Sequence, residues 1–265
     1  MIINSHVVLS GSVEALLGRM DKANVGKAIL AGSHHGAILC RSGATPASNQ
    51  EVLSAVEVHP ERFIGCAYIN PLDPGAAKQA DDWADAGFKA LKFFPADGYS
   101  PDDKRLWPVL ERIEERRLVA VFHMGLADYA YETAPGARKA PNSAYAYPMR
   151  LDPVGRLFPS VHFLILNMGY PLMIEAWSVH HNSGNIYLHI GGEGTQFSSL
   201  ATAYAALGGP GFIPLDFSRV VFGSGDAENM QRTVTLAEDS IARMGCALCR
   251  AGAVFNANAE SLFRL

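Results

Sequence analysis

Cysteine is scarce in this chain: Cys40, Cys66, Cys246 and Cys249 are the only four among 265 residues. They are too few and too scattered to staple a secreted scaffold, so reduced thiols are expected. Cys246 and Cys249 form one C-x-x-C, but no second pair and no adjoining redox-type βαβ pattern accompanies it. Two small residues on an amphipathic helix account for it. Charge is sparse as well, at 18% of residues with a net of -4 and no Lys/Arg cluster, which argues against nucleic acid as a partner. No apolar run approaches the roughly 20 residues that span a bilayer, and no basic-then-apolar leader with a cleavage site opens the sequence. A cytoplasmic protein without a membrane partner is expected. The G-x-G-x-x-G turn of a dinucleotide-binding sheet is missing after the first apolar run.

What is present is alternation on a large scale. Apolar runs of strand length fall at 2–9, 27–31, 63–69, 90–94, 119–123, 162–167, 186–190 and 219–222. Helix-like stretches lie between them at 12–23, 49–59, 74–86, 101–116, 152–158, 171–181, 197–207 and 229–244. Strand and helix in turn around a parallel sheet is the signature of an α/β protein, and eight repeats predict a single-domain TIM-like (β/α)8 barrel over residues 1–265. Such a barrel keeps its chemistry at the C-terminal ends of the strands. The stretch 124–150 has no clear period, follows the fifth strand and is expected to form a lid loop. Its Tyr145 and Tyr147 are candidates to close over a substrate ring, and Arg150 to hold a carboxylate in two parallel hydrogen bonds. Gly191-Gly192-Glu193-Gly194 after the seventh run reads as a flexible turn.

The titratable side chains at strand ends define the expected mouth. Residues two apart on a strand share a face, so His6 and Val8 at the end of the first run point the same way. His6 and His123 are candidate acid/base groups because imidazole titrates near neutrality. Lys92, on the fourth run, is the natural cation, able to orient a carboxylate, stabilise an enolate or lose its proton and act as a base. Asp226 is a candidate to deprotonate water or orient a histidine, and Asn167 to donate to an oxyanion. His189 and His34 join Arg150, Tyr145 and Tyr147 as substrate-contacting candidates. His59 and the His180-His181 pair are expected to be structural, capping helix ends.

Several segments, in order, resemble the amidohydrolase-related branch of the metal-dependent hydrolases, which includes non-oxidative decarboxylases and lactonases. HPERFIGCAYINP (59–71) is similar to that family's lead into strand three, and GFKALKFFP (87–95) to its strand-four pattern, with Phe94 where a histidine is usual. VFHMG (121–125) resembles the strand-five motif and keeps its ligand histidine as His123. FLILNMGYP (163–171) resembles the strand-six motif with Asn167 replacing histidine, and VVFGSGDAEN (220–229) the strand-eight motif with Gly225 in the place of the catalytic Asp and Asp226 one step late. FNANAESLFRL (255–265) is similar to the terminal Asn-Ala helix. The family's first strand carries Asp and His-x-His; here Asn4, His6 and Val8 stand in those places.

The resemblance therefore implies the fold but leaves only His6 and His123 of the usual metal ligands, and two imidazoles alone bind zinc weakly. No cofactor is expected; the alternative is a single zinc or manganese ion for which His189, Asp226, Glu193 or the His34-His35 pair supplies a third ligand. Asp226 would need a bulge to face inward, and glycine at 223 and 225 permits one. The expected function is hydrolysis of a small carboxylated or cyclic ester or lactone by acid/base chemistry with little or no metal. Non-oxidative decarboxylation, or another lyase or isomerase step, is the alternative, and a non-catalytic ligand-binding or regulatory barrel the alternative of a different class. A homodimer is expected from the resemblance.

Overall fold

The structure, a computed structural model, describes residues 1–33, 37–39, 45–126, 129–131, 141–191, 216–225, 228–244 and 248–265. Eight parallel strands form one sheet: β1 (Ile2–Val8), β2 (Val25–Ala31), β4 (Phe63–Tyr68), β5 (Ala90–Phe93), β6 (Val119–His123), β8 (His162–Leu166), β9 (Ile186–Ile190) and β10 (Val220–Phe222), neighbours in that order. Around them run α1 (Val13–Lys22), α2 (Asn49–Val58), α3 (Ala76–Asp85), α4 (Trp107–Arg116), α5 (Asp152–Leu157), α6 (Met173–Asn182), α7 (Met230–Arg243), α8 (Leu248–Phe255) and α9 (Ala257–Phe263). This is the (β/α)8 barrel that the alternation predicts. The expected helix at 197–207 lies outside the described residues.

Each strand alternates between two cores. Leu30, Phe63, Phe93, Phe122 and Phe222 point outward into the layer beneath the helices, whereas Ile29, Cys66, Val121, Leu164 and Val221 fill the lumen. The period of two in a strand makes both possible from one short apolar run. α9 plugs the lumen at the N-terminal ends of the strands, where Ala259, Leu262 and Phe263 pack against Ile3, Val119 and Val221. Asn258 holds it there by donating its Nδ2 to the carbonyls of Phe217 and Val220, 2.7 Å to each, which gives the terminal Asn-Ala motif its physical purpose.

Closure between β10 and β1 rests on a few polar contacts. Gly225 donates its N–H to the carbonyl of His6 and accepts from the N–H of Val8, both at 3.0 Å. Its φ of +74° is the left-handed conformation that glycine adopts freely. Asn4 donates from Nδ2 to Ser224 Oγ at 2.8 Å and accepts from the Ser224 N–H at 3.0 Å. β1 also carries a bulge: Asn4 faces Ala28 and Val7 faces Leu30, three steps against two. The extra residue reverses the alternation, so Ile3 lies in the lumen and Val7 in the outer core. His6 and Val8 are thereby turned inward.

Part of the predicted lid is ordered structure. β7 (Tyr129–Tyr131) pairs antiparallel with β3 (Ala37–Leu39), and 3-10 turns follow at Ser143–Ala146 and Pro148–Leu151. Residues 127–128 and 132–140 lie outside the described residues.

Candidate active site

The mouth is assembled from strand ends. His6 leaves β1 at the bulge, Lys92 projects from β5, His123 closes β6, and His189 sits near the end of β9. All four are buried, with exposures of 4%, 2%, 6% and 0%. The His6 and His189 rings meet edge to face with centroids 5.8 Å apart, and His123 lies edge to face with Phe94 at 5.2 Å. Phe94 is itself pinned, its N–H donating to the Tyr99 hydroxyl at 2.8 Å.

Burial, joined at His6 and His123 by the Lys92 charge, keeps these imidazoles neutral. Desolvation pushes His6 well below the usual histidine value, with further depression from Lys92, His189 and His123. His123 is lowered to about 4, mainly by burial and then by Lys92, although its bond to the Leu126 carbonyl works the other way. His189 falls to about 3, again through burial first. Cys66, in the lumen, is pushed up to about 12 by burial despite the opposing charge of Lys92. The mouth thus gathers a cation and uncharged imidazoles among buried apolar side chains, a setting whose charge suits an anion and disfavours adding a second positive charge.

Backbone groups fix two of the three tautomers. A carbonyl only accepts, so the 3.1 Å contact between His123 Nε2 and the Leu126 carbonyl places the proton on Nε2 and the lone pair on Nδ1. Asn167 donates its N–H to His189 Nδ1 at 3.0 Å, which leaves the His189 proton on Nε2. Asn167 can do so because the chain turns sharply at the end of β8: Asn167, Met168 and Gly169 have φ of +52°, +48° and +65°. Two successive non-glycines in that region cost about 1–2 kcal/mol each. The Asn167 Oδ1 and both ring nitrogens of His6 are buried with no hydrogen-bond partner among the described residues.

Three of the expected substrate-contacting groups are exposed. Arg150 is exposed on the second 3-10 turn, its Nη1 3.1 Å from Asp102 Oδ2. An exposed pair of that kind is weak and readily exchanged for another carboxylate. Tyr145 and Tyr147 are 41% and 39% exposed. Asp226, His34, His35 and Glu193 lie outside the described residues, as do Cys40 and Cys246. His180 is structural as expected, buried under α6 with its Nδ1 donating to the Ile186 carbonyl at 2.8 Å. Unforeseen was Tyr68 at the end of β4, whose hydroxyl donates to Asp97 Oδ2 at 2.5 Å. Its spacing of two from lumen-facing Cys66 was the available signal. Unforeseen too was the space that Gly191 and Gly223 leave for the His189 ring.

A catalytic divalent metal takes about three protein ligands and an open position. The described residues do not fit one. His189 has its Nδ1 lone pair committed to the Asn167 N–H and a proton on Nε2, which leaves it no nitrogen for an ion, whereas His123 donates from Nε2 and keeps its Nδ1 lone pair as a single ligand. Val8, Phe94 and Asn167 offer no imidazole or carboxylate at the positions where the resemblance places them. No group of three His, Cys, Asp or Glu side chains among the described residues is arranged to hold an ion.

The amidohydrolase family model matches residues 31–265. No curated protein matches the chain by sequence. Among solved structures, it is similar to an uncharacterised TIM-barrel protein from Bordetella bronchiseptica, with a TM-score of 0.73, 17% identity and coverage of 99% of this chain and 98% of that one. A probable 2-pyrone-4,6-dicarboxylic acid hydrolase from Acinetobacter baumannii, with citric acid bound, gives a TM-score of 0.66 at 15% identity over 100% and 99% of the two chains. A 5-carboxyvanillate decarboxylase from Novosphingobium aromaticivorans, complexed with manganese and a nitrobenzoic acid, gives 0.62 at 16% identity over 96% and 80%. At these identities the likeness is one of fold.

Proposed function

Because this chain belongs to the amidohydrolase family, we propose that it is an enzyme acting on a compact, conjugated carboxylic acid, and that the reaction is non-oxidative decarboxylation. The observation that carries this reading is the buried Lys92 ammonium among neutral imidazoles at the barrel mouth. Lys92 attracts the substrate anion into a cavity where a carboxylate is poorly solvated. The bond from the carboxyl carbon to the rest of the molecule breaks and carbon dioxide leaves. The electron pair passes to a conjugated oxygen, which Lys92 stabilises, and a proton is then added at carbon. His6 is the proton carrier: burial is the larger cause of its depression and Lys92 the next, and an anion beside it offsets the Lys92 part and adds an attraction of its own, so that it takes a proton from solvent and delivers it. Atoms and charge balance as the carboxylate and one proton giving carbon dioxide and the protonated product. The similarity to a manganese-bound decarboxylase keeps a divalent ion in view, but the reading derives no step from one.

Hydrolysis of an ester or lactone is the second reading, favoured by the similarity to a probable hydrolase of a pyrone dicarboxylic acid. It stands second for a physical reason. An imidazole held at about 4, as His123 is, is a weak base for activating water.

The test is a panel of hydroxybenzoates and of lactones of unsaturated dicarboxylic acids, followed for carbon dioxide release and for 18O uptake from labelled water. Carbon dioxide without 18O in the organic product supports decarboxylation, whereas 18O uptake without carbon dioxide supports hydrolysis. Failure of both across the panel would favour the non-catalytic barrel. Elemental analysis of the same preparation decides the metal: zinc or manganese near one equivalent would require a ligand beyond the described residues, with Asp226 the first to substitute.

A further inference from the structure

We infer that His189 is a neutral hydrogen-bond donor, locked as its Nε2–H tautomer by the backbone N–H of Asn167, and that it holds an oxygen of the bound anion instead of serving as a base or as a metal ligand. The inference rests on the proposed anionic substrate for what the donor meets, but the lock itself does not. Three independent features converge on it. The first is the 3.0 Å bond from the Asn167 N–H, possible only to an Nδ1 that bears its lone pair. The second is the strained left-handed turn at Asn167 and Met168, which frees that N–H from the β8 ladder and aims it at the ring.

The third is the cradle. A Cβ at Gly191 would lie 2.2 Å from His189 Cε1, and one at Gly223 2.2 Å from its Nε2. Only glycines leave room for the ring, so its orientation is fixed from β9 and β10 together. Held this way, His189 is wholly buried and its Nε2 has no hydrogen-bond partner among the described residues. That nitrogen lies on the side of Gly223 and the His6 backbone, next to the His6 ring. A buried N–H is costly unless it meets an acceptor. An oxygen of an anion drawn in by Lys92 supplies one. Because the donor is neutral, it adds no charge to compete with Lys92 and leaves the His6 nitrogens available for the proton.

The test is nitrogen NMR of the full chain labelled at histidine, with His189 assigned from the spectrum of His189→Gln. The expected result is the Nε2–H tautomer from pH 5.5 to 8, unmoved by one equivalent of zinc and shifted by saturating benzoate. An Nδ1–H tautomer, a midpoint within that range or a zinc-induced shift would overturn the lock, and indifference to benzoate would overturn the anion contact. His189→Gln, which retains an N–H donor, is expected to keep benzoate affinity within a few-fold, while His189→Leu loses about tenfold or more. If His189→Leu fails to fold, the wild-type spectrum still decides. Failure of the decarboxylase reading would appear as absent turnover with the tautomer intact.

Discussion

At the closed end of the lumen, Ile3, Val119 and Val221 meet Ala259, Leu262 and Phe263 in apolar contact, with Asn258 clamping the plug from its side. At the open end the barrel strands carry Lys92, His123 and His189, and His6 where the β1 bulge turns it inward, with ring nitrogens of His6 and His189 lacking partners among the described residues. The contrast shows how a barrel separates stability from chemistry along a single axis. Apolar burial at the plug contributes free energy, and part of that offsets the desolvation of the charge and imidazoles at the mouth.

The plug offers the largest effect. Phe263→Ala, at a side chain only 2% exposed, is expected to cost about 3–5 kcal/mol in urea unfolding. Full activity per folded molecule under native conditions would confirm that the two ends are separable, and a specific loss of turnover would break the comparison. Lys92→Met makes the reciprocal cut: turnover falls about 10²–10³-fold, as for loss of one transition-state charge stabiliser, while the fold is retained. A collapse of stability instead would make Lys92 a structural residue.

Acid sharpens the contrast more gradually. His6, His123, His180 and His189 all have their protonation depressed on folding, His180 to about 4 chiefly by burial. The unfolded chain therefore binds more protons than the folded one below about pH 6.5. Stability contributed by keeping these rings neutral is fully present above that pH and is lost as pH falls toward 4. The melting temperature should decline steadily over that interval, and a flat profile would show that the rings are protonated in the folded protein. The smallest effect is expected at Arg150→Ala, where an exposed pair with Asp102 contributes about 0–1 kcal/mol. A tenfold rise in KM would reinstate Arg150 as a carboxylate clamp.

The fold was legible because each barrel strand is a predominantly apolar run of strand length and most helices between them carry a cap or an amphipathic stripe, as at Ser48 with its reciprocal bond to Glu51. The pair β3 and β7 was not, since three residues of Tyr-Ala-Tyr give no periodicity to detect. His6, Lys92 and His123 were identified as mouth residues from strand-end position and alternation. The pairing of Arg150 with Asp102, 48 residues away, was hidden because no local pattern encodes it. The state of His189 was equally hidden. It depends on a left-handed backbone at Asn167, for which the tolerance of asparagine is the only trace in the sequence.

The clasp between Asn4 and Ser224 also bears on time. Its two residues are 220 positions apart. At the roughly 5–20 residues per second of synthesis, β1 emerges about ten to forty seconds before the strand that completes its pairing. The newborn chain must therefore shelter an open sheet edge through most of its own production, and that edge, more than the finished barrel, is where a chaperone or an aggregate would find it.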